Sequence, residues 1–152
     1  MGNKTWGPIV WCFLHTLSFK IKEEHFDEQR VKILNLIKLI FANLSCPFCS
    51  KDASELYQKT NLKYIINKTS LIDFLYNFHN KINLKLKKPL FKKSELFEKY
   101  NNNKFSEVIK DFIDLYNKKS SNLRISMLYK NNKTVIKSII DHFEQYQQYY
   151  EN

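Results

Sequence analysis

Glycine occurs only twice in the 152 residues and proline three times. Tight turns draw on both residues, so their scarcity argues against a turn-dense β fold and for long helices. Cysteine is scarce as well, and three residues are too few for a disulfide-stapled scaffold. No apolar run reaches the ~18 residues that a membrane-spanning helix needs. The first residues show no charged-then-apolar leader pattern, so a soluble, intracellular protein is expected. There thiols are kept reduced, and a close cysteine pair is more often metal-binding or catalytic than structural. Acidic residues are in deficit: 15 Asp and Glu against 25 Lys and Arg give a net charge of +10. The cations are mostly Lys and are scattered rather than clustered, so nucleic acid is not expected as the main partner. A basic helical binding module, nucleic-acid-associated and without enzymatic activity, is the alternative reading.

Apolar residues are abundant at 43%, with 12 Phe, 9 Tyr and 2 Trp, enough for a packed core. Their spacing predicts an all-α chain. "WGPIVWCFLHTLSFKIK", residues 6–22, reads as a helix entered through Gly7 and Pro8, with Trp11, Leu14, His15 and Ser18 on one face. Asp27 is expected to open a second helix over 28–44, whose wide apolar stripe calls for burial on more than one side. Pro47 interrupts it and starts a third. A fourth covers 69–86, with Ser70 and Asp73 as a capping box and Leu71, Phe74, Leu75, Phe78 and Ile82 as its core stripe. A short helix follows near 93–100, and "NNNK" at 101–104 marks the best boundary in the chain. Beyond it, Ile109, Phe112, Ile113 and Tyr116 form one stripe, and Val135, Ile136, Ile139, Ile140 and Phe143 another. "NLRISMLY" between them fits helix or strand, and the closing "EQYQQYYEN" is expected to fray. The expected architecture is a four-helix bundle with a short fifth helix over residues 1–100 and a C-terminal helical extension over 101–152.

The chemistry-bearing stretch is "SCPFCSKDASELY", with Cys46 and Cys49 at the start of the third helix. A helix N-terminus favours a thiolate at Cys46. Three readings are open. Structural zinc needs about four ligands, but His15, His25, His79 and His142 are widely spaced and no second pair of ligands stands nearby. A thioredoxin-like site needs a preceding strand, and a helix is expected there instead. The third reading is a redox dithiol on a helical bundle, passing electrons to a flavin in the bundle interior.

Three separated pieces resemble the Erv/ALR family of FAD-dependent sulfhydryl oxidases. "GPIVWCFLHTLS" is similar to that family's Trp-x-x-Leu-His-Thr-Leu helix, with Trp11, Leu14 and His15 in place. "CPFC" follows after a long apolar helix. "FHNKINLKLKKPLF" resembles the family's His-Asn-x-Val-Asn-x-x-Leu-Gly-Lys-Pro segment, with Ile82 for Val and Lys87 for Gly. Together they cover about residues 4–100. The resemblance implies a homodimeric thiol oxidase with non-covalent FAD and no metal. Cys46 would be the outer sulfur that exchanges with protein dithiols, and Cys49 the inner sulfur facing the flavin. Oxygen would be the final acceptor, giving hydrogen peroxide. Trp11, His15, His79, Asn80, Asn83, Lys85 and Lys88 would hold FAD, and Tyr100 falls where relatives often carry a Trp that packs on the flavin.

Departures from the family pattern carry further expectations. No second, shuttle cysteine pair is present, and Lys59 and Tyr76 stand near the positions of a structural disulfide in many relatives. Substrate thiols must then reach Cys46 directly or through a thioredoxin-like relay. Cys12 is expected to be a buried small hydrophobe rather than a third redox thiol. The minimal cysteine set and the Lys- and Asn-rich composition resemble versions encoded by large cytoplasmic DNA viruses. That implies virion proteins as substrates and the host cytoplasm, virus factory or virion as location, with the mitochondrial intermembrane space as the alternative. The extension is expected to pack on the bundle, or to offer a further oligomer or docking surface.

Overall fold

The structure, a computed structural model, describes residues 3–118 and 123–152, with side chains over 6–118 and 132–152. Seven helices run in the order α1 (Asn3–Lys20), α2 (Phe26–Ala42), α3 (Pro47–Lys59), α4 (Lys68–Lys85), α5 (Leu96–Tyr100), α6 (Phe105–Tyr116) and α7 (Leu123–Tyr146). Among the described residues the β structure is a single bridge between Ile21 and Tyr150. The all-α expectation holds, and the stretch from Leu123 onward resolves to helix.

α1 is the hub. Val10, Phe13, Leu14, Leu17 and Ile21 recur every three or four residues and are all buried, which lets one helix pack against α4, α5 and α6. It begins at Asn3, so Pro8 lies inside the helix instead of opening it. Pro8 is the sixth helical residue, so its missing N–H removes one rung of the ladder in the second turn of α1. A short 3₁₀ turn, Glu23–His25, leads into α2. Asp27 therefore sits in the first turn of α2 and not at its cap, where its charge still favours the helix dipole. The wide stripe of α2 is buried as expected, from Phe26 through Ile33, Leu36, Ile37 and Ile40 to Phe41. Tyr57 of α3 donates its hydroxyl to the Leu34 carbonyl at 2.8 Å, tying α3 to α2.

The capping box of α4 is shifted from its expected place. Asn67 is the cap: its Oδ1 accepts from the Ser70 N–H at 2.8 Å, and Ser70 Oγ accepts from the Asn67 N–H at 2.9 Å. Asp73 is turned instead to an ion pair with Lys93. At the other end the Lys87 N–H bonds the Leu84 carbonyl and the Lys88 N–H bonds the Asn83 carbonyl. That double closure is a Schellman turn, and it puts Lys87 in the left-handed region at φ 58°. The family pattern has Gly at this position because only Gly adopts that conformation without strain. The turn throws the chain back across the bundle, and Phe91 is caught there by Asn80.

The helices of the extension share the core of the bundle. The Phe13 ring lies 4.4 Å from that of Phe112 and meets Phe105 and Phe143 as well. Ile140, expected in the α7 stripe, is exposed. The closing segment does not fray. Tyr150 is buried, and its hydroxyl pairs with His142 Nε2 at 2.7 Å. The backbone around it is stitched to the end of α1 through Lys22 N–H to Tyr149 O and Glu151 N–H to Lys20 O. Aromatic burial outweighed the polar composition of this segment.

Candidate active site

Cys46 caps α3 and Pro47 takes its first helical position, where a missing N–H costs nothing. One turn of helix brings Cys49 back over Cys46, and the two form a disulfide with Cα atoms 5.1 Å apart. The Cys49 N–H donates to Cys46 Sγ at 3.2 Å. Both cysteines are partly exposed, but they face different surroundings. Cys49 lines a cavity of about 580 Å³, and Cys46 does not.

That volume lies within the ~300–1,000 Å³ of ordinary small-molecule sites. The cavity is walled by the start of α1 (Trp6, Val10, Trp11), by α3 (Cys49, Asp52, Ala53), by α4 and its turn (His79, Asn83, Lys85, Lys88), and by Phe91, Lys99 and Tyr100. Trp11 stacks on His79 with centroids 3.9 Å apart and planes 6° apart. His15 Nε2 and His79 Nδ1 are 2.9 Å apart, and Tyr100 stacks on the other side of His15 at 4.6 Å. Burial, and then the neighbouring charges, pushes the His79 pKa down to about 3 and that of His15 well below its ordinary value. Both rings are therefore neutral. His15 Nδ1 is buried without a partner. An orphan lone pair is tolerated better than an orphan N–H, which assigns the proton to His15 Nε2 and leaves His79 with an N–H at Nε2. Burial likewise raises the Tyr100 pKa to about 12, so its hydroxyl stays protonated.

The donor set suits a flat ligand carrying negative charge. Trp11 and His79 offer a stacked aromatic wall. The indole Nε1 of Trp6 is buried with no acceptor among the protein groups. Lys88 and Lys99 stand at the rim, while Lys85 is bridged to Asp52 at 3.0 Å. Of the residues singled out from sequence, Trp11, His79, Asn83, Lys85, Lys88 and Tyr100 line the cavity with Cys49. His15 stands one layer behind, fully buried, and supports the wall through ring contacts with Trp11, His79, Phe91 and Tyr100. Asn80 is not in the wall. Its amide donates to the Phe91 carbonyl at 3.0 Å and accepts from the Phe91 N–H at 3.2 Å, so it holds the loop that carries Phe91.

Trp6, Phe91, Lys99 and Asn103 were not singled out from sequence. Trp6 precedes Val10 by one helical turn and shares its face, a signal available in the sequence. Lys99 and Asn103 come to the cavity only through the path of α5. Cys12 also lines it. Its Sγ lies 3.5 Å from Asn103 Nδ2 and 3.9 Å from Thr16 Oγ1, and burial raises its pKa, which keeps the thiol protonated.

The structure is thus a helical bundle carrying one disulfide at the edge of an aromatic, cationic cavity, with Cys49 in the cavity wall and Cys46 outside it. The comparisons give the family. The family model described as Erv1 / Alr matches residues 8–106, more than half of the chain, and the chain belongs to that family. It is 28% identical over 98 residues to the putative FAD-linked sulfhydryl oxidase 096R of Invertebrate iridescent virus 3, covering 64% of this chain and 66% of that protein. It is 27% identical over 85 residues to the mitochondrial FAD-linked sulfhydryl oxidase ERV1 of Saccharomyces cerevisiae, covering 56% of this chain and 44% of that protein. The chain thus spans just under two thirds of the first relative and less than half of the second. No solved structure matches it significantly.

Proposed function

We propose that this chain is a FAD-dependent thiol oxidase that forms disulfides in protein dithiols, with Cys46 and Cys49 as the redox pair and oxygen as the final acceptor. The observation that carries the reading is the split environment of one disulfide: Cys49 in the cavity wall, Cys46 outside it at a helix N-terminus. A substrate thiolate attacks Cys46 Sγ; a mixed disulfide forms and Cys49 leaves as a thiolate. The second substrate thiol then attacks the substrate sulfur, and Cys46 leaves. The product is a substrate disulfide and the reduced Cys46–Cys49 pair. The N–H groups at the start of α3 favour the departing Cys46 thiolate. A bound flavin supplies a two-electron acceptor that oxygen reoxidises, giving hydrogen peroxide.

In this reading Trp11 and His79 hold a planar ring system, Asn83 and the Trp6 indole N–H provide polar contacts, and Lys88 and Lys99 neutralise the pyrophosphate as point charges, while Lys85 lines the same wall in its ion pair with Asp52. Tyr100 closes one wall. His15 and Asn80 act behind it, by fixing His79 and Phe91. The family match and the names of the two relatives support the redox reading over a basic binding module without enzymatic activity. We further place the protein as a homodimer acting on virion proteins or a thioredoxin-like relay, in the host cytoplasm, virus factory or virion. The viral relative and the Lys-rich composition support this over the mitochondrial intermembrane space. Among the described residues no helix is long and apolar enough to cross a membrane.

The test is the visible spectrum of the purified protein with oxygen consumption on added dithiothreitol. Bound flavin with turnover in the wild type, and bound flavin that the dithiol no longer reduces in Cys49→Ser, is the expected result. Wild-type turnover in that variant overturns the role of Cys49.

A further inference from the structure

Phe48 stands between the two cysteines and is 82% exposed, the most exposed of the large apolar side chains among the described residues. Among the described residues it makes no ring contact. An aromatic ring left in water forgoes the stabilisation that burial brings, and the segment could carry a polar residue there without loss to the core. We propose that Phe48 is the substrate-selecting contact of the oxidase, and that the protein it serves presents an apolar side chain beside its reactive cysteine, in an acidic segment. The proposal rests on the thiol-oxidase reading above and names the substrate class for the same site.

The argument is one of access. Cys46 lies outside the cavity and only partly exposed, flanked on its C-terminal side by the exposed Pro47 and Phe48. A polypeptide thiol that reaches Cys46 Sγ brings its neighbouring residues over this first turn of α3, and the ring of Phe48 is the apolar surface they meet. A small dithiol has no such neighbours. The charge next to the disulfide is basic. The first turn of α3 has no acidic residue, and Lys51 follows it, exposed. Asp52, the first acid along α3, is paired with Lys85 at 3.0 Å. On a chain of net charge +10 this favours acidic segments, mainly by speeding encounter. The chemistry is that of the mixed disulfide described above, with the same bonds made and broken; Phe48 adds binding and takes no part in electron transfer.

The experiment compares oxygen consumption with two short reduced peptides that share one Cys-x-x-Cys core. One has Leu and Phe next to the cysteines and Glu beyond; the other has Ser and Lys at those places. Dithiothreitol is the third substrate, and Phe48→Ser and Phe48→Leu are the variants. Both substitutions are at an exposed position and leave the core intact. For the wild type, kcat/KM is expected to favour the apolar, acidic peptide by about tenfold, the size of effect that one apolar contact gives. Phe48→Ser removes most of that preference through KM, Phe48→Leu restores it, and dithiothreitol turnover changes by less than about twofold throughout, since a small dithiol makes no such contact. Equal wild-type rates on the two peptides overturn the proposal. So does an equal fall on peptide and dithiothreitol in Phe48→Ser, which would make Phe48 structural. A changed sedimentation coefficient in Phe48→Ser would make the ring a contact between copies of this chain, and also overturns it. A wild type that binds flavin but does not oxidise dithiothreitol fails the thiol-oxidase reading itself.

Discussion

Lys87 shows how a single residue records the backbone it occupies. The Schellman turn after α4 needs a left-handed residue, and a lysine holds it at φ 58°. Left-handed backbone costs a residue with a Cβ roughly 1 kcal/mol, part of which a glycine gives back through its freer unfolded chain. Lys87→Gly is therefore expected to stabilise the fold by about 0.5–1 kcal/mol, an upward shift of roughly 1–4 °C in Tm, measured by calorimetry. A drop in Tm would mean that the lysine side chain contributes more than its backbone costs. Cys46, Cys49, Trp11 and His79 are legible through three separated motifs read together; taken singly, the cysteine pair also fits a zinc or thioredoxin-like site, and an aromatic on an apolar helix face fits a plain core. His15 and Asn80 were named for the right neighbourhood, but composition and spacing do not say whether a polar side chain faces a cavity or the wall behind it. Lys99 and Asn103 could not be read at all, since a surface lysine in sequence looks like any other.

Among the elements, the segment between α4 and α5 governs the cavity. It is irregular, apart from the 3₁₀ turn Lys93–Glu95, and it carries Lys88, Pro89 and Phe91 into the wall. Asn80 pins it with two hydrogen bonds to Phe91, and Tyr76 adds a third at 3.1 Å to the same carbonyl. Asn80→Ala should leave the fold intact, cost about 1–2 kcal/mol, and weaken flavin retention several-fold although the residue does not touch the cavity. The check is the flavin-to-protein ratio after dialysis, beside the melting curve. Unchanged retention with a lowered melting temperature would limit Asn80 to a structural role. The helices themselves were readable because an amphipathic stripe of period 3.6 is a strong signal. Their caps were not, because Asn67 and Ser70 compete with Ser70 and Asp73 for the same box, and the winner is set by where Asp73 finds Lys93.

At the scale of the whole molecule, the extension and the bundle share one core, and three of the four histidines are neutral: His15 and His142 are buried and His79 is half-buried in the cavity wall. His142 is held at a pKa of about 4 by burial and by Lys32, His79 at about 3, and His15 well below its ordinary value. A depressed folded-state pKa means that the unfolded chain takes up protons first as pH falls below 6.5. Stability is then full above pH 6.5 and is lost progressively as the pH falls toward about 4 for His142 and about 3 for His79. Each such group contributes about 1.4 kcal/mol per pH unit. Urea unfolding between pH 7 and 5 should show this slope, and His142→Gln should flatten it by about one proton; parallel pH profiles for the two proteins would refute the assignment. His142 also fastens Tyr150, so the same acid range should loosen the closing segment from α1. That segment was misread from sequence because its polar glutamines mask the one tyrosine that is buried, and burial depends on Ile21, far away along the chain.

The two tryptophans of the chain, Trp6 and Trp11, both line the cavity that Cys49 enters. Indole emission from this protein therefore originates at one place only. It acts as a built-in optical gauge of that cavity, free of background from the rest of the molecule, so occupancy can be followed by fluorescence without any label or engineered probe.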